Sequence, residues 1–193
     1  MNEIRPAVFI FVIIISSAYK TQNMMISKEL QSKFNDQIQR EAFASHSYLY
    51  MASWCEQQNL PGIATYFYAA SEDEREHMLN LYKYLNAQGG FAEVKTLEAP
   101  RKEFKNVLEL FEHTLYLEST VTKSINELAH ACDKAQEYAP FYFLKEFVLE
   151  QEQSENSVND LIINIKRIGT EERNLYYLDK FFKKMMDAKK GAE

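Results

Sequence analysis

A chain of 193 residues with 46% hydrophobic and 26% charged side chains is long enough for one domain with a substantial core. Only 5 Gly and 4 Pro occur, and stretches rich in Ala, Glu, Lys, Gln and Leu dominate, which favours long helices over strands and predicts an all-α protein. The formal net charge of -6 and the absence of a basic stripe argue against nucleic acid as a partner and make cations the natural clients.

The first 23 residues are read as an extension, and residues 24–193 as the single domain. Ala7 to Ile15 is an unbroken apolar run after a head containing Arg5, and Ser16-Ser17-Ala18 offers small residues for a signal peptidase. As a helix, Ala7 to Ala18 would cover about 18 Å, short of the roughly 30 Å hydrocarbon core, so a spanning anchor is disfavoured. Met24 and Met25 precede Ile26-Ser27-Lys28-Glu29-Leu30, where Ser27 suits a helix cap and Glu29 its first turn. A start at this second position and a cytoplasmic protein is the expectation adopted; export, with residues 1–18 as signal peptide, is the alternative.

From Ser27 to about Gln58, apolar residues recur at Leu30, Phe34, Ile38, Ala42, Phe43, Leu49 and Tyr50, which predicts a first long helix. Asn59-Leu60-Pro61-Gly62 breaks it, and a second helix is expected from about Ile63 to Ala87, ended by Gln88-Gly89-Gly90. Residues 89–103 carry Pro100 and no helical period. A third helix fits about Phe104 to Ala131, a fourth about Tyr138 to Ile168 with Pro140 in its opening turn, and a short fifth about Glu171 to Met186. The short breaks near 60 and 135 make the first and second helices antiparallel neighbours, and likewise the third and fourth. Fifteen extended residues reach roughly 50 Å, enough to run the length of a 25-residue helix and restart parallel to it. The expected order is therefore up-down-down-up.

Two spacings within these helices match. Glu41 lies 33 residues before Glu74 in Glu74-Arg75-Glu76-His77, and Glu118 lies 33 residues before Gln151 in Gln151-Glu152-Gln153-Ser154. The midpoints, 57.5 and 134.5, fall at or near the two short turns, so all four positions meet at similar height in antiparallel pairs. Glu74 and His77 are three apart and share a face. A Glu on each of two helices with Glu-x-x-His on the others is how bundles hold pairs of metal ions. Here the second copy is degraded, with Gln for Glu and Ser for His. Carboxylates with one imidazole suit Fe²⁺, with Zn²⁺ or Mn²⁺ as competitors. Glu41, Glu74 and His77 form the stronger expected site; Glu118, Gln151 and a bridging Glu74 form the weaker one, since neutral Gln151 offers only its carbonyl oxygen. A weak second site suits a passing substrate better than a permanent cofactor. Cys55 and Cys132 form no C-x-x-C pair and read as reduced thiols. His46, His113 and His130 lack partners at ligand spacing. Trp54 and the aromatic residues at 66–68 and 141–143 read as packing.

At Arg40-Glu41-Ala42 to Tyr48, Glu72 to Met78, Ile125 to His130 and Glu150-Gln151, the chain resembles the non-haem ferritins, bacterial ones above all, over about residues 25–190. The resemblance implies a ferritin-like four-helix bundle with a short fifth helix and a di-iron ferroxidase centre at Glu41, Glu74, His77, Glu118 and Gln151. It places Tyr48 beside that centre as an electron donor to oxygen, and it implies a closed shell of roughly 24 subunits storing hydrated ferric oxide. The substrates would be Fe²⁺ with O₂ or peroxide. A third iron site would use Asp73 and Glu150, but the following positions, often acidic in the family, are Gln153 and Ser154. No haem is expected, because the second Glu-x-x-His is not intact. The competing readings are a passive iron-binding shell and a stand-alone di-iron oxygenase or peroxidase.

Overall fold

A computed structural model describes residues 26–191; both readings of the N-terminal extension fall outside these residues. Five helices follow in order: α1 (Lys28–Gln57), α2 (Pro61–Ala87), α3 (Val107–Lys134), α4 (Tyr138–Ile168) and α5 (Glu172–Lys190). No strand occurs among the described residues, and no helix among them is long and apolar enough to cross a membrane.

Local chemistry sets the helix ends. Ser27 caps α1, its hydroxyl accepting from the Leu30 N–H at 3.3 Å. Asn106 caps α3, accepting from Glu109 N–H at 2.9 Å. This cap places the start of α3 three residues later than the expected Phe104. Pro61 takes the first position of α2, where its missing N–H costs nothing, so that helix starts two residues earlier than expected. Helix α5 runs on to Lys190, past the expected Met186, because Lys189 and Lys190 suit the C-terminal end of the dipole. Asn59, Gly89 and Gln136 adopt positive φ just after α1, α2 and α3. The next residue in each case returns its N–H to a carbonyl of the last turn: Leu60 to Cys55, Gly90 to Leu85 and Glu137 to Cys132, each at 3.0 Å.

The bundle is up-down-down-up. The crossover between α2 and α3 runs along α1 from its beginning to its end, which forces α3 to start beside the end of α1. Gln31 accepts from Phe91 N–H at 3.0 Å, and Asn35 both donates to the Phe91 carbonyl and accepts from Glu93 N–H. Gln39 then donates to Thr96, and the Tyr50 hydroxyl to the Lys102 carbonyl. These side chains satisfy a segment whose backbone has no ladder of its own. Helix α5 lies across the end of the bundle at the α1–α2 turn: the Asp179 carboxylate accepts from Ile63 N–H at 3.0 Å, and Phe182 packs on Tyr66 and Phe111. Phe34, Phe67, Phe111 and Phe182 are fully buried, each contributing about 1.5 to 3 kcal/mol in removed apolar surface.

The buried stripe of α1 reads Leu30, Phe34, Ile38, Glu41, Ala44, Tyr48, Met51 and Cys55, steps of three and four residues. Glu41, Ala44, Tyr48 and Met51 occupy the face that an apolar reading gives to Ala42, Phe43, Leu49 and Tyr50; Leu49 is exposed. Each of the other long helices likewise sets one polar residue of this kind at mid-length in its buried stripe: Glu74 in α2, Glu118 in α3 and Gln151 in α4. The bundle therefore carries a polar layer across its centre.

Candidate metal centre

The layer is aligned by pairing around the α1–α2 turn. Ser45 and Ser71, one turn from Glu41 and Glu74, exchange hydroxyl-to-carbonyl hydrogen bonds at 2.8 and 2.9 Å and lock the register of the two helices. Glu41, Glu74 and His77 then converge, with one donor atom from each lying within 4.8 Å of the others. Among the described residues this is the one group of three His, Cys, Asp or Glu side chains that does so.

The two halves of the layer differ in how their charges are met. Glu41 is 1% exposed and Glu74 5%, yet Oε2 of each is buried with no hydrogen-bond partner. Such groups are costly to bury unless a cation is there to receive them. Burial pushes the Glu74 carboxyl up to about 8; a hydrogen bond with Glu41 opposes the rise, and the nearby Glu118 and Asp73 charges add to it. Burial, then the facing Glu74 charge, raises Glu41 as well. On the other half, Glu118 is met on both oxygens. The Tyr48 phenol donates to Oε1, and the Gln151 amide donates to Oε2 at 2.6 Å and to the Glu118 carbonyl at 3.1 Å. Burial raises Glu118, while these two donors pull it back. Burial and the Glu118 charge hold the Tyr48 phenol well above its ordinary range, so it stays protonated as a donor. One half thus has open acceptors, and the other is closed by hydrogen bonds.

All six residues singled out in the sequence meet in this layer. Around them stand Gln37 and Ser124, which the sequence reading missed, and Asp73 and Glu150, which it set aside for a third iron. Gln37, 1% exposed, donates to Glu41 Oε1 at 2.7 Å and accepts from the Ser124 hydroxyl of α3. A buried Gln four residues before Glu41, on one helix face, is the signal that could have found it. Glu150 lies 3.2 Å by its Oε2 from Nε2 of His77, whose Nδ1 is 3.5 Å from Glu74 Oε2. Asp73 pairs with Lys189 of α5 at 3.4 Å. The two carboxylates that would serve a third iron are therefore already faced by an imidazole and an ammonium. Asp73, Glu74, His77, Glu118 and Glu150, with Tyr66, line a groove of about 890 Å³ between α2, α4 and α5 through which the layer meets solvent.

The histidines and cysteines read as bystanders stay apart from the layer. His46 and His130 are exposed, and His113 stacks between Phe104 and Tyr116. Cys55 and Cys132 are free and buried, and burial pushes the Cys132 thiol up to about 11 and Cys55 higher still, so both remain thiols. Tyr66 packs against Phe67, Phe111 and Phe182, as expected, and also lines the groove, whereas Tyr68 and Tyr142 are exposed and do not fit the packing reading.

Oxygen donors with one imidazole, two orphaned buried carboxylate oxygens and no thiolate are a fit for a divalent first-row cation such as Fe²⁺. Comparison with known proteins agrees. The Ferritin-like domain family matches residues 31–168. A bacterial non-heme ferritin of Staphylococcus haemolyticus is 36% identical over 156 residues, 81% of this chain and 94% of its own. One from Campylobacter jejuni is 34% identical over 166 residues, 86% of this chain and 99% of its own. Among solved structures, the open-pore ferritin of the hyperthermophilic archaeon Archaeoglobus fulgidus superimposes with a TM-score of 0.79 at 30% identity, covering 82% of this chain and 97% of the other. The four-helix bundle with its fifth helix, the polar layer and these likenesses together make the chain a member of the ferritin family.

Proposed function

We propose that the protein is an iron-storage ferroxidase: Fe²⁺ is bound in the polar layer and oxidised there by O₂ or peroxide, and the Fe³⁺ moves on to a ferric oxide mineral inside a closed shell of roughly 24 copies. The observation that carries this reading is the pair of buried, unpartnered Oε2 atoms of Glu41 and Glu74 beside His77. In this reading iron is substrate and cargo.

Each part of the layer then has a task. Glu41, Glu74 and His77 hold the first Fe²⁺, the two carboxylates offsetting its charge and His77 supplying Nδ1. Glu118 and Gln151 hold the second, with Glu74 between the two ions. Binding there requires Glu118 to exchange hydrogen bonds from Tyr48 and Gln151 for a metal bond, so the second ion is held more weakly. Two Fe²⁺ give up one electron each to the oxidant, and Tyr48 stands within hydrogen-bond reach of Glu118 to supply a further electron and proton. The groove lined by Asp73, Glu74 and Glu150 provides an acidic way out for the product.

Anaerobic Fe²⁺ titration followed by oxygen pulses, read by the near-ultraviolet absorbance of Fe³⁺, tests the reading. Glu74→Ala and His77→Ala are expected to slow oxidation by orders of magnitude; parent-like rates in both variants would sink it. Size-exclusion chromatography tests the shell, since an assembly of hundreds of kilodaltons is expected and a monomer would favour a stand-alone di-iron enzyme.

A further inference from the structure

Resting on the functional reading above, we infer that Gln37 is a positioning residue for iron binding, which acts by holding the Glu41 carboxylate so that its Oε2 faces Glu74 and His77, and which is itself aimed by Ser124. The chain of contacts has one chemical sense. With a cation bound, Glu41 is ionised and can only accept, so the atom of Gln37 that faces its Oε1 at 2.7 Å is the amide nitrogen. The opposite end of the amide is then the carbonyl, and it accepts from the Ser124 hydroxyl. Ser124 stands on α3, so the rotamer of a ligand on α1 is set from the helix packed against it.

Burial makes the arrangement stiff. Gln37 and Glu41 are each 1% exposed, so no water competes for the amide or for Oε1. The two residues are one turn apart on α1, so the contact needs no movement of backbone. With Oε1 held, Oε2 is left buried and without a hydrogen bond, and Glu41 offers one carboxylate oxygen to the cluster whose donor atoms lie within 4.8 Å. Gln37 donates to the Glu41 carboxylate, and the facing Glu74 carboxyl is its other close polar neighbour. A carboxylate released from Gln37 gains rotamers that carry Oε2 out of the cluster, and binding would have to freeze them. Partners that orient a ligand in this way change metal affinity by roughly 10-fold to 100-fold.

The test uses the full-length protein, freed of metal by a chelator, and Co²⁺ alone as probe, because it does not turn over and its visible absorption reports the ligand field. Gln37→Met keeps length and volume and removes both polar ends. It is expected to weaken the tighter Co²⁺ site roughly 10-fold or more and to alter its visible band. The same substitution placed on Glu41→Ala is expected to cause no further loss, because Gln37 works only through that carboxylate. An equal loss in both backgrounds would mean that Gln37 merely supports the bundle, and parent-like affinity in Gln37→Met would also overturn the proposal. Ser124→Ala, which touches neither Glu41 nor metal, is expected to shift affinity in the same direction by less, again only when Glu41 is present; it decides the matter where Gln37→Met does not fold. Failure of the functional reading itself looks different: Glu41→Ala and His77→Ala would then bind Co²⁺ as the parent does.

Discussion

His77 and Glu150 face each other across α2 and α4, with Nε2 of the ring 3.2 Å from a carboxylate oxygen and Nδ1 turned toward Glu74. A carboxylate at Nε2 favours the tautomer protonated there and leaves the Nδ1 lone pair for a metal ion. Glu150→Ala is therefore expected to lower Co²⁺ affinity at the tighter site by roughly 10-fold, measured by calorimetric titration, with little change in unfolding midpoint. Affinity equal to the parent would show that the ring is oriented by packing on Phe147 instead.

The degraded half of the layer predicts unequal sites. Gln151→Glu removes the amide that donates to Glu118 and sets a second carboxylate in its place. The metal-free variant is expected to be less stable than the parent, and the affinity of the second Co²⁺ is expected to rise toward that of the first. Two equal affinities in the parent protein would undo the asymmetry altogether.

Tyr48→Phe leaves the Glu118 Oε1 acceptor without its donor. Loss of a buried partner of this kind costs about 1 to 3 kcal/mol. Chaotrope unfolding of the chelated protein is expected to show that loss, and saturating Co²⁺ to shrink it, because the metal offers Glu118 a new partner. A deficit of the same size with and without metal would separate Tyr48 from the site.

The raised carboxyls predict a pH dependence of defined sign. Burial pushes the Glu74 carboxyl from its ordinary 4.5 up to about 8 in the folded protein, and Glu41 is raised as well. Between those values the folded state binds more protons than the unfolded one, so stability of the metal-free protein falls as pH rises through this window and is greatest below it. Denaturation midpoints from pH 5 to pH 8.5 are expected to slope downward with chelator and to flatten in Glu74→Gln. Metal binding near pH 6.5 is expected to release protons, read as a dependence of the titration heat on buffer.

Gly62 has a different task. A Cβ there would lie 2.2 Å from the Asp179 carbonyl oxygen, so α5 sits directly on the first turn of α2. Gly62→Ala is expected to destabilise the fold by about 1 to 3 kcal/mol, since the obstacle is backbone and cannot turn aside. Co²⁺ affinity should be unchanged, because twelve residues of helix, roughly 18 Å, separate Gly62 from Glu74.

Helices, their order and the meeting of Glu41, Glu74, Glu118 and Gln151 were legible because antiparallel pairing about a short turn converts sequence distance into height. The start of α3 was legible too, in the Asn106 to Glu109 spacing, but an apolar Phe104 drew the expected boundary too early. What could not be read was rotamer and interhelical contact. Gln37 and Ser124 become partners only when α1 and α3 pack, 87 residues apart in sequence. Glu150 meets His77 because α4 settles at one particular rotation against α2. The seat of α5 depends on a missing Cβ at Gly62, which has no periodic signature.

The crossover strapped along α1 has a consequence for how the chain comes together and comes apart. Its hydrogen bonds to Gln31, Asn35, Gln39 and Tyr50 each close between 52 and 60 residues of chain. The helical hairpins on either side form from neighbours, whereas the strap gains its partners only after α1 and α2 have already paired. It is thus expected to order late, and its amides are expected to exchange ahead of those of the four long helices. Within the described residues, limited proteolysis is expected to cut there, between the two hairpins, before it cuts a helix.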